Sequence, residues 1–219
     1  MSDPTRLDIR LRLERDEDHA EVEELTRLAF WNQHVPGCDE HYLAHVLRSS
    51  PDFRSDLDFV ATIGNRIVGN IMYTCALLVS SEGEELPILS FGPLSVRPEF
   101  QRRGVGKALL THTLALAESE GCPAVAIYGN PSNYVSSGFV CCANVNVGLE
   151  PGVFPSALLV RAFKPELLAG RFWSFRPSPA YEVDSEAANE FETRFPPLEK
   201  GWRPSQEEFS ILSRSFVRV

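Results

Sequence analysis

The residues with the plainest chemical purpose run from Leu94 to Leu110, Leu94-Ser95-Val96-Arg97-Pro98-Glu99-Phe100-Gln101-Arg102-Arg103-Gly104-Val105-Gly106-Lys107-Ala108-Leu109-Leu110. A strand pattern ends there, a turn with two glycines follows, and a helical pattern begins. The unpaired N–H groups of a helix start and the positive end of its dipole converge on one spot, which suits a phosphate. Gly104 and Gly106 have no Cβ, so the backbone can come close to a ligand. Arg97, Arg102, Arg103 and Lys107 stand against one acid, Glu99, in a chain whose formal net charge is −9. That local reversal of charge also favours an anion.

Two familiar phosphate loops do not fit. A Walker loop needs Gly at 101 and Ser or Thr at 108, where the chain has Gln101 and Ala108. Without that hydroxyl there is no magnesium ligand of the usual kind. The dinucleotide fingerprint G-x-G-x-x-G needs Gly at 109, where Leu109 stands. The pattern that does fit is Q/R-x-x-G-x-G/A, as Gln101-Arg102-Arg103-Gly104-Val105-Gly106. It resembles the pyrophosphate-binding turn of the GNAT family of N-acetyltransferases. Phe91-Gly92-Pro93-Leu94-Ser95-Val96-Arg97-Pro98 is similar to that family's fourth strand, and Tyr134-Val135-Ser136-Ser137-Gly138-Phe139 to its closing Y-x-x-x-G-F segment. The G-P-L-S-V form and the later Leu158-Leu159-Val160 strand are closest to the YhbS-like branch. Departures are Asn130 and Asn133, where related sequences often carry Asp and a first Tyr.

The resemblance spans about residues 8–169 and implies a function. Acetyl-CoA would be the acyl donor, with no metal. Backbone groups of Leu94, Ser95 and Val96 would pair with the pantetheine arm. Gln101, Arg102, Arg103, Gly104, Val105, Gly106 and Lys107 would cradle the pyrophosphate, and Asn130 would lie by the cofactor. The N–H of Val96 or a near neighbour would polarise the thioester. A primary amine would attack directly, with Tyr134 against the cofactor as general acid. His34, His41 and Glu40 fall where such proteins bind the acceptor, but none is singled out as base. The other reading is a CoA-binding sensor or scaffold without catalysis. Cys141-Cys142 is read as buried thiols rather than a nucleophile.

Around this turn the pattern places positioning elements. Asp8–Leu13 alternates as a half-buried strand, with Asp16 or Asp18 as a cap for the helix of Val22, Leu25, Leu28 and Ala29. A second helix starts near Asp39, with Tyr42, Leu43, Val46 and Leu47 on one face, after a loop from Trp31 to Gly37. Residues 58–63 and 66–73 form a hairpin about Gly64-Asn65. Leu86–Val96 is a strand with a bulge at Gly92-Pro93. Gly104–Glu120 is a helix, and Pro123–Tyr128 a buried parallel strand. Val140–Val147 and Ala157–Phe163 complete the strands. The fold class is α/β (α+β): a mixed, mostly antiparallel twisted sheet flanked by helices, with splayed parallel fourth and fifth strands, as the resemblance implies.

The expected organisation is an acyltransferase domain over 1–169 and an ordered aromatic-rich extension over 170–219. The extension would pack on the main domain or a partner, which leaves a homodimer open. An acidic chain of 219 residues with pI near 5.1 lacks the basic footprint of a nucleic-acid binder. No run reaches the ~18 apolar residues of a membrane span. Five unpatterned cysteines and an N-terminus without a signal-peptide pattern, Met1–Arg6, point to the cytoplasm.

Overall fold

The computed structural model describes residues 7–218; Met1–Arg6, read above for an export signal, lies outside them. The first elements are strand β1 (Arg10–Leu13) and helices α1 (His19–Phe30) and α2 (Glu40–Leu47). Strands β2 (Phe59–Ile63), β3 (Arg66–Ser80) and β4 (Glu85–Val96) follow, then α3 (Val105–Ser119), β5 (Ala124–Tyr128) and the short α4 (Pro131–Tyr134). Next come β6 (Val140–Cys141), β7 (Val147–Gly148), β8 (Phe154–Pro155), β9 (Leu158–Ala162) and α5 (Pro165–Leu168). The last are β10 (Trp173–Arg176), α6 (Ser185–Glu192), α7 (Pro204–Ser213) and β11 (Phe216–Val217).

The main sheet has the order β1-β2-β3-β4-β5-β9-β6, with β10 joined to β3 and β7, while β8 and β11 pair separately. Along that order every pairing is antiparallel except β4 with β5. That parallel pairing consists of Leu89 opposite Val125 alone, so the strands part toward Val96 and Tyr128. The bulge expected at Gly92-Pro93 is present: Phe91 faces Tyr73 and Leu94 faces Ile71, leaving two β4 residues opposite Met72. Proline has no N–H to offer a neighbouring strand, so the sheet cannot continue regularly there.

Helices cover both faces. Leu109, Leu110, Leu114 and Ala117 of α3 bury against Ile71, Tyr73, Leu89 and Val125, and the Tyr73 hydroxyl meets Thr113 Oγ1 at 3.0 Å. On the other face Val22 and Leu25 of α1 pack on Val60 and Ile67, and Ala44 and Leu47 of α2 on Met72. Each large aliphatic buried this way contributes about 1.5–3 kcal/mol. That burial holds the two helices bordering the β4–β5 gap.

Several expectations change. Asp18 does not cap α1 with its side chain; its carboxylate accepts instead from Arg12, at 2.5 and 2.8 Å. The buried face of α2 is His41, Ala44 and Leu47, not Tyr42, Leu43 and Val46. His41 is buried against the rings of Phe191 and Phe195, its Nε2 3.1 Å from Glu192 but without a hydrogen bond, and burial lowers the pKa of its ring. Strand β3 runs on to Ser80 because β4 and β10 flank its far half. Val140–Val147 is not one strand: a 3-10 turn over Cys142–Val145 and a left-handed Asn146, φ +55°, break it.

Residues 173–176 are a strand of the main sheet, antiparallel to β3 from Leu77 to Ser80. Further along the segment, residues 179–181 and α6 pack on α2, while β11 returns to pair with β8. Arg27, 2% exposed, donates to both carboxylate oxygens of Glu192, at 2.8 and 2.5 Å, and to the Pro196 carbonyl at 2.9 Å. Among the described residues no helix is long and apolar enough to cross a membrane.

Candidate active site

Where β4 and β5 part, β4 keeps an unpaired edge. Arg97 N–H donates to Val68 O on β3 at 3.0 Å. In an antiparallel pair the backbone groups of alternate residues face alternate sides, so Ser95 also faces β3, while Leu94 and Val96 turn their N–H and C=O into the gap. The Val96 carbonyl accepts from Gln101 Nε2 at 3.1 Å. The Ser95 side chain is fully buried and donates to Thr26 Oγ1 at 2.9 Å.

The turn after β4 ends on Gly104, whose φ of +89° lies in the left-handed region that glycine enters freely. The first bond of α3 is Ala108 N–H to Gly104 O, 2.9 Å. The N–H groups of Val105, Gly106 and Lys107 therefore have no partner inside the helix. They open on a cleft of about 530 Å³ lined by Gln101, Arg102, Gly104, Gly106 and Lys107 on one side, Tyr134, Ser136 and Ser137 on another, and Leu94 and Val96. The cations counted in the sequence divide here. Arg102 and Lys107 line the cleft. Arg103 lies over the Phe100 ring, 5.7 Å from its centre. Arg97 is a buried strut, donating to Ile67 O at 2.8 Å and facing Glu21 at 3.4 Å. The Val105 side chain points into the core.

Tyr134 stands on the opposite wall, its ring half-buried against Phe91 and Phe139, with centres 5.7 and 5.9 Å away. Burial pushes its phenol up to about 12, so it carries its proton at any physiological pH. The ring lies so close to Gly129 that a Cβ there would be 2.5 Å from Tyr134 Cε2. A side chain at 129 and this ring position exclude one another. Asn130 caps α4, its Oδ1 accepting from Ser132 N–H at 3.0 Å, and it lines a second cavity rather than the first.

That second cavity, about 410 Å³, is walled by Tyr128, Pro155 and Ala157 on one side and by Glu208, Phe209 and Leu212 of α7 on the other. Gln33, His34 and Asn133 line both spaces. Sequence reasoning placed His34 nearby but found none of the α7 wall. The signal was slight: Asn32, in the loop after α1, is left-handed at φ +61°. Its Oδ1 accepts from Gly37 N–H at 2.8 Å and Gly201 N–H at 3.1 Å, and its Nδ2 donates to Glu199 O at 3.1 Å. Gln206 of α7 donates back to Asn32 O at 3.1 Å.

His34 Nδ1 lies 2.9 Å from Glu40 Oε1, and the ring stacks on Phe209 at 4.4 Å. The His41 and Cys38 pair, 3.6 Å apart, is buried away from both cavities. Cys142 is buried too and its thiol is pushed up to about 12, which leaves it unreactive. Among the described residues no three His, Cys, Asp or Glu side chains gather as a metal site.

A partly parallel sheet that opens at a bulge, beside a glycine turn at a helix start, is the architecture of CoA-dependent acetyltransferases. The Acetyltransferase (GNAT) family model matches residues 20–140, and the chain belongs to that family. An Escherichia coli K12 protein described as the uncharacterized N-acetyltransferase YjhQ is 33% identical over 92 residues. The match covers 41% of this chain and 49% of that protein, so it spans about half of the relative. The fold is shared with YhbS, a GNAT family N-acetyltransferase from Escherichia coli solved in complex with CoA. Its TM-score is 0.68 at 23% identity, over 84% of this chain and 96% of that one. A GNAT family acetyltransferase from Brucella melitensis, solved with acetyl-CoA, gives a TM-score of 0.61 at 23% identity, over 81% and 100% of the two chains.

Proposed function

We propose that the protein is an acyl-CoA-dependent N-acyltransferase that moves acetyl from acetyl-CoA to a primary amine by direct attack. The observation that carries this is the open edge of Leu94 and Val96, with the free N–H groups of α3 on one side and the Tyr134 ring on the other. Pantetheine has amides to pair with such an edge, and the helix start suits its pyrophosphate. The two solved relatives named above hold CoA and acetyl-CoA.

The chemistry then follows from the groups present. The Val96 N–H, unused by β3, donates to the thioester oxygen as negative charge grows there. The amine lone pair forms the C–N bond, and the C–S electron pair leaves on sulfur. A thiol titrates near 8.5 and Tyr134 near 12. Outright transfer from Tyr134 to a free thiolate is therefore uphill by roughly three powers of ten. Tyr134 serves better as a relay: it gives its proton to sulfur while taking the surplus proton of the new amide nitrogen. No covalent enzyme intermediate is needed.

Calorimetry with acetyl-CoA tests the premise, and absence of saturable binding overturns it. Thiol release with amines separates an enzyme from a CoA-binding module. Tyr134→Phe should lower kcat by about 10²-fold with acetyl-CoA affinity unchanged; an unaltered kcat removes the relay.

A further inference from the structure

The second cavity is space that a donor in the first does not need. Its walls are mainly apolar, from Tyr128, Pro155, Ala157, Phe209 and Leu212, and Glu208 is the one carboxylate among its lining residues. Arginine and lysine are absent from that lining, whereas Arg102 and Lys107 line the neighbouring cleft. The α7 wall is fixed at both ends. Gln206 is held by the carbonyls of Asn32 and Gly201, at 3.1 and 2.9 Å. Beyond α7, β11 pairs with β8 through Phe216 opposite Pro155, and Ser156 N–H donates to Ser215 O at 2.9 Å.

Building on the acyltransferase reading, we infer that this chamber is the acceptor site. It takes a small monoamine with an apolar body, and His34, oriented by Glu40, removes its proton. The amine head sits at the seam of Gln33, His34 and Asn133, the residues common to both spaces. The body lies against Tyr128 and Leu212, where leaving water is favourable. Glu208 attracts the cationic head on approach. A polyamine or a chain-borne lysine with charged neighbours would strand extra charge against those walls.

An independent observation supports the second half. Glu40 accepts at His34 Nδ1, which places the ring's proton there and leaves the Nε2 lone pair free. Phe209 at 4.4 Å and Phe30 at 5.6 Å hold the ring plane. The charged or titratable groups around His34 are Glu40 on α2, Glu208 on α7, Arg102 and Lys107 at the turn, and Tyr134 on α4. The ammonium gives one proton to Nε2, which passes it to water. The neutral amine then attacks, and the remaining surplus proton leaves through the Tyr134 relay, so that amine and thioester become amide and thiol.

The test is steady-state thiol release by the full chain with acetyl-CoA and 2-phenylethylamine, hexylamine, spermidine or a lysine peptide. The first two should exceed the others in kcat/KM by about tenfold or more. A preference for spermidine or the peptide overturns the assignment. Phe209→Ala should raise the amine KM and leave acetyl-CoA binding as it was; no change in amine KM, or equal loss for both substrates, counts against the chamber. His34→Gln should cost about 10²–10⁴ in kcat near neutral pH and abolish the acid limb of the pH profile. Glu40→Gln should also lower kcat with acetyl-CoA binding unchanged, since the ring loses the carboxylate that orients it. A kcat unchanged in both variants, or an acid limb that persists in His34→Gln, with acetyl-CoA still bound, overturns the base. If the parent chain fails to bind acetyl-CoA, the donor reading fails instead; binding with a flat amine response overturns only the acceptor site.

Discussion

The two adjoining cavities are made in different ways. The donor cleft is built mostly from backbone: a bulged strand edge, a left-handed glycine and three free N–H groups at a helix start. The acceptor chamber is built from side chains contributed by the α1–α2 loop, the end of β5 and α7. Backbone sites depend on a few local conformations and stand or fall with the sheet. Side-chain sites depend on distant segments being brought together. Damage to the carboxyl-terminal segment should therefore separate the two.

Arg27→Ala should produce the largest effect, because it leaves Glu192 with its charge partly buried and unpaired. A loss of about 3–5 kcal/mol is expected, measured by urea denaturation. Below the lowered melting temperature, acetyl-CoA binding should persist while the amine KM rises. Equal loss of both would show that the cavities are one unit. Gly129→Ala comes next, since its Cβ would lie 2.5 Å from the Tyr134 ring. Displacing the ring should reduce kcat about 10–100-fold, with little change in folding stability, read by stopped-time thiol assay and thermal melt.

Proton chemistry sharpens the contrast. With Tyr134 near 12, kcat should stay level between about pH 8 and 10 rather than fall with an ordinary tyrosine. The same shift bears on stability: the unfolded phenol ionises first, so its contribution is whole below about pH 10 and is lost as pH rises toward 12. Alkaline melts of the parent and Tyr134→Phe check this. Smallest of all is the pair Lys107→Ala and Arg103→Ala. The former should weaken acetyl-CoA about two- to fivefold at low salt; the latter, whose guanidinium lies on Phe100, less than twofold. The reverse order would mean that Arg103 swings to the phosphates.

This difference in construction also explains what the sequence revealed. A phosphate turn is consecutive, and its demands fall on residue types: Gly104 for its φ, Gly106 for close approach, Pro93 for the missing N–H. The hairpin at Gly64-Asn65 and the length of α3 were legible for the same local reason. Val140–Val147 misled because β-branched alternation says nothing of Asn146 turning left-handed or of Cys142 burying its thiol against the Pro155 carbonyl at 3.4 Å. The face of α2 was misjudged because His41 is covered by the rings of Phe191 and Phe195, far along the chain. Likewise Phe209 and Gln206 could not be assigned to a site, since nothing near them in sequence mentions Asn32 or His34. The density of aromatics after Gly170 pointed to a packed segment, but not to what it would enclose.

The unpaired edge of Leu94 and Val96 has a bearing on the protein's life without ligand. An open strand edge is a template on which another chain can add. Here the bulge behind it and the divergence of β5 interrupt that edge, and such irregularity works against a ladder between molecules. A donor that pairs with it completes the sheet from outside the chain. The substrate would then act as a removable strand, and a saturating pool at about 100 times Kd would protect the fold by about 2.7 kcal/mol. Each turnover would exchange that strand, so the molecule is most exposed to unfolding in the interval after CoA departs.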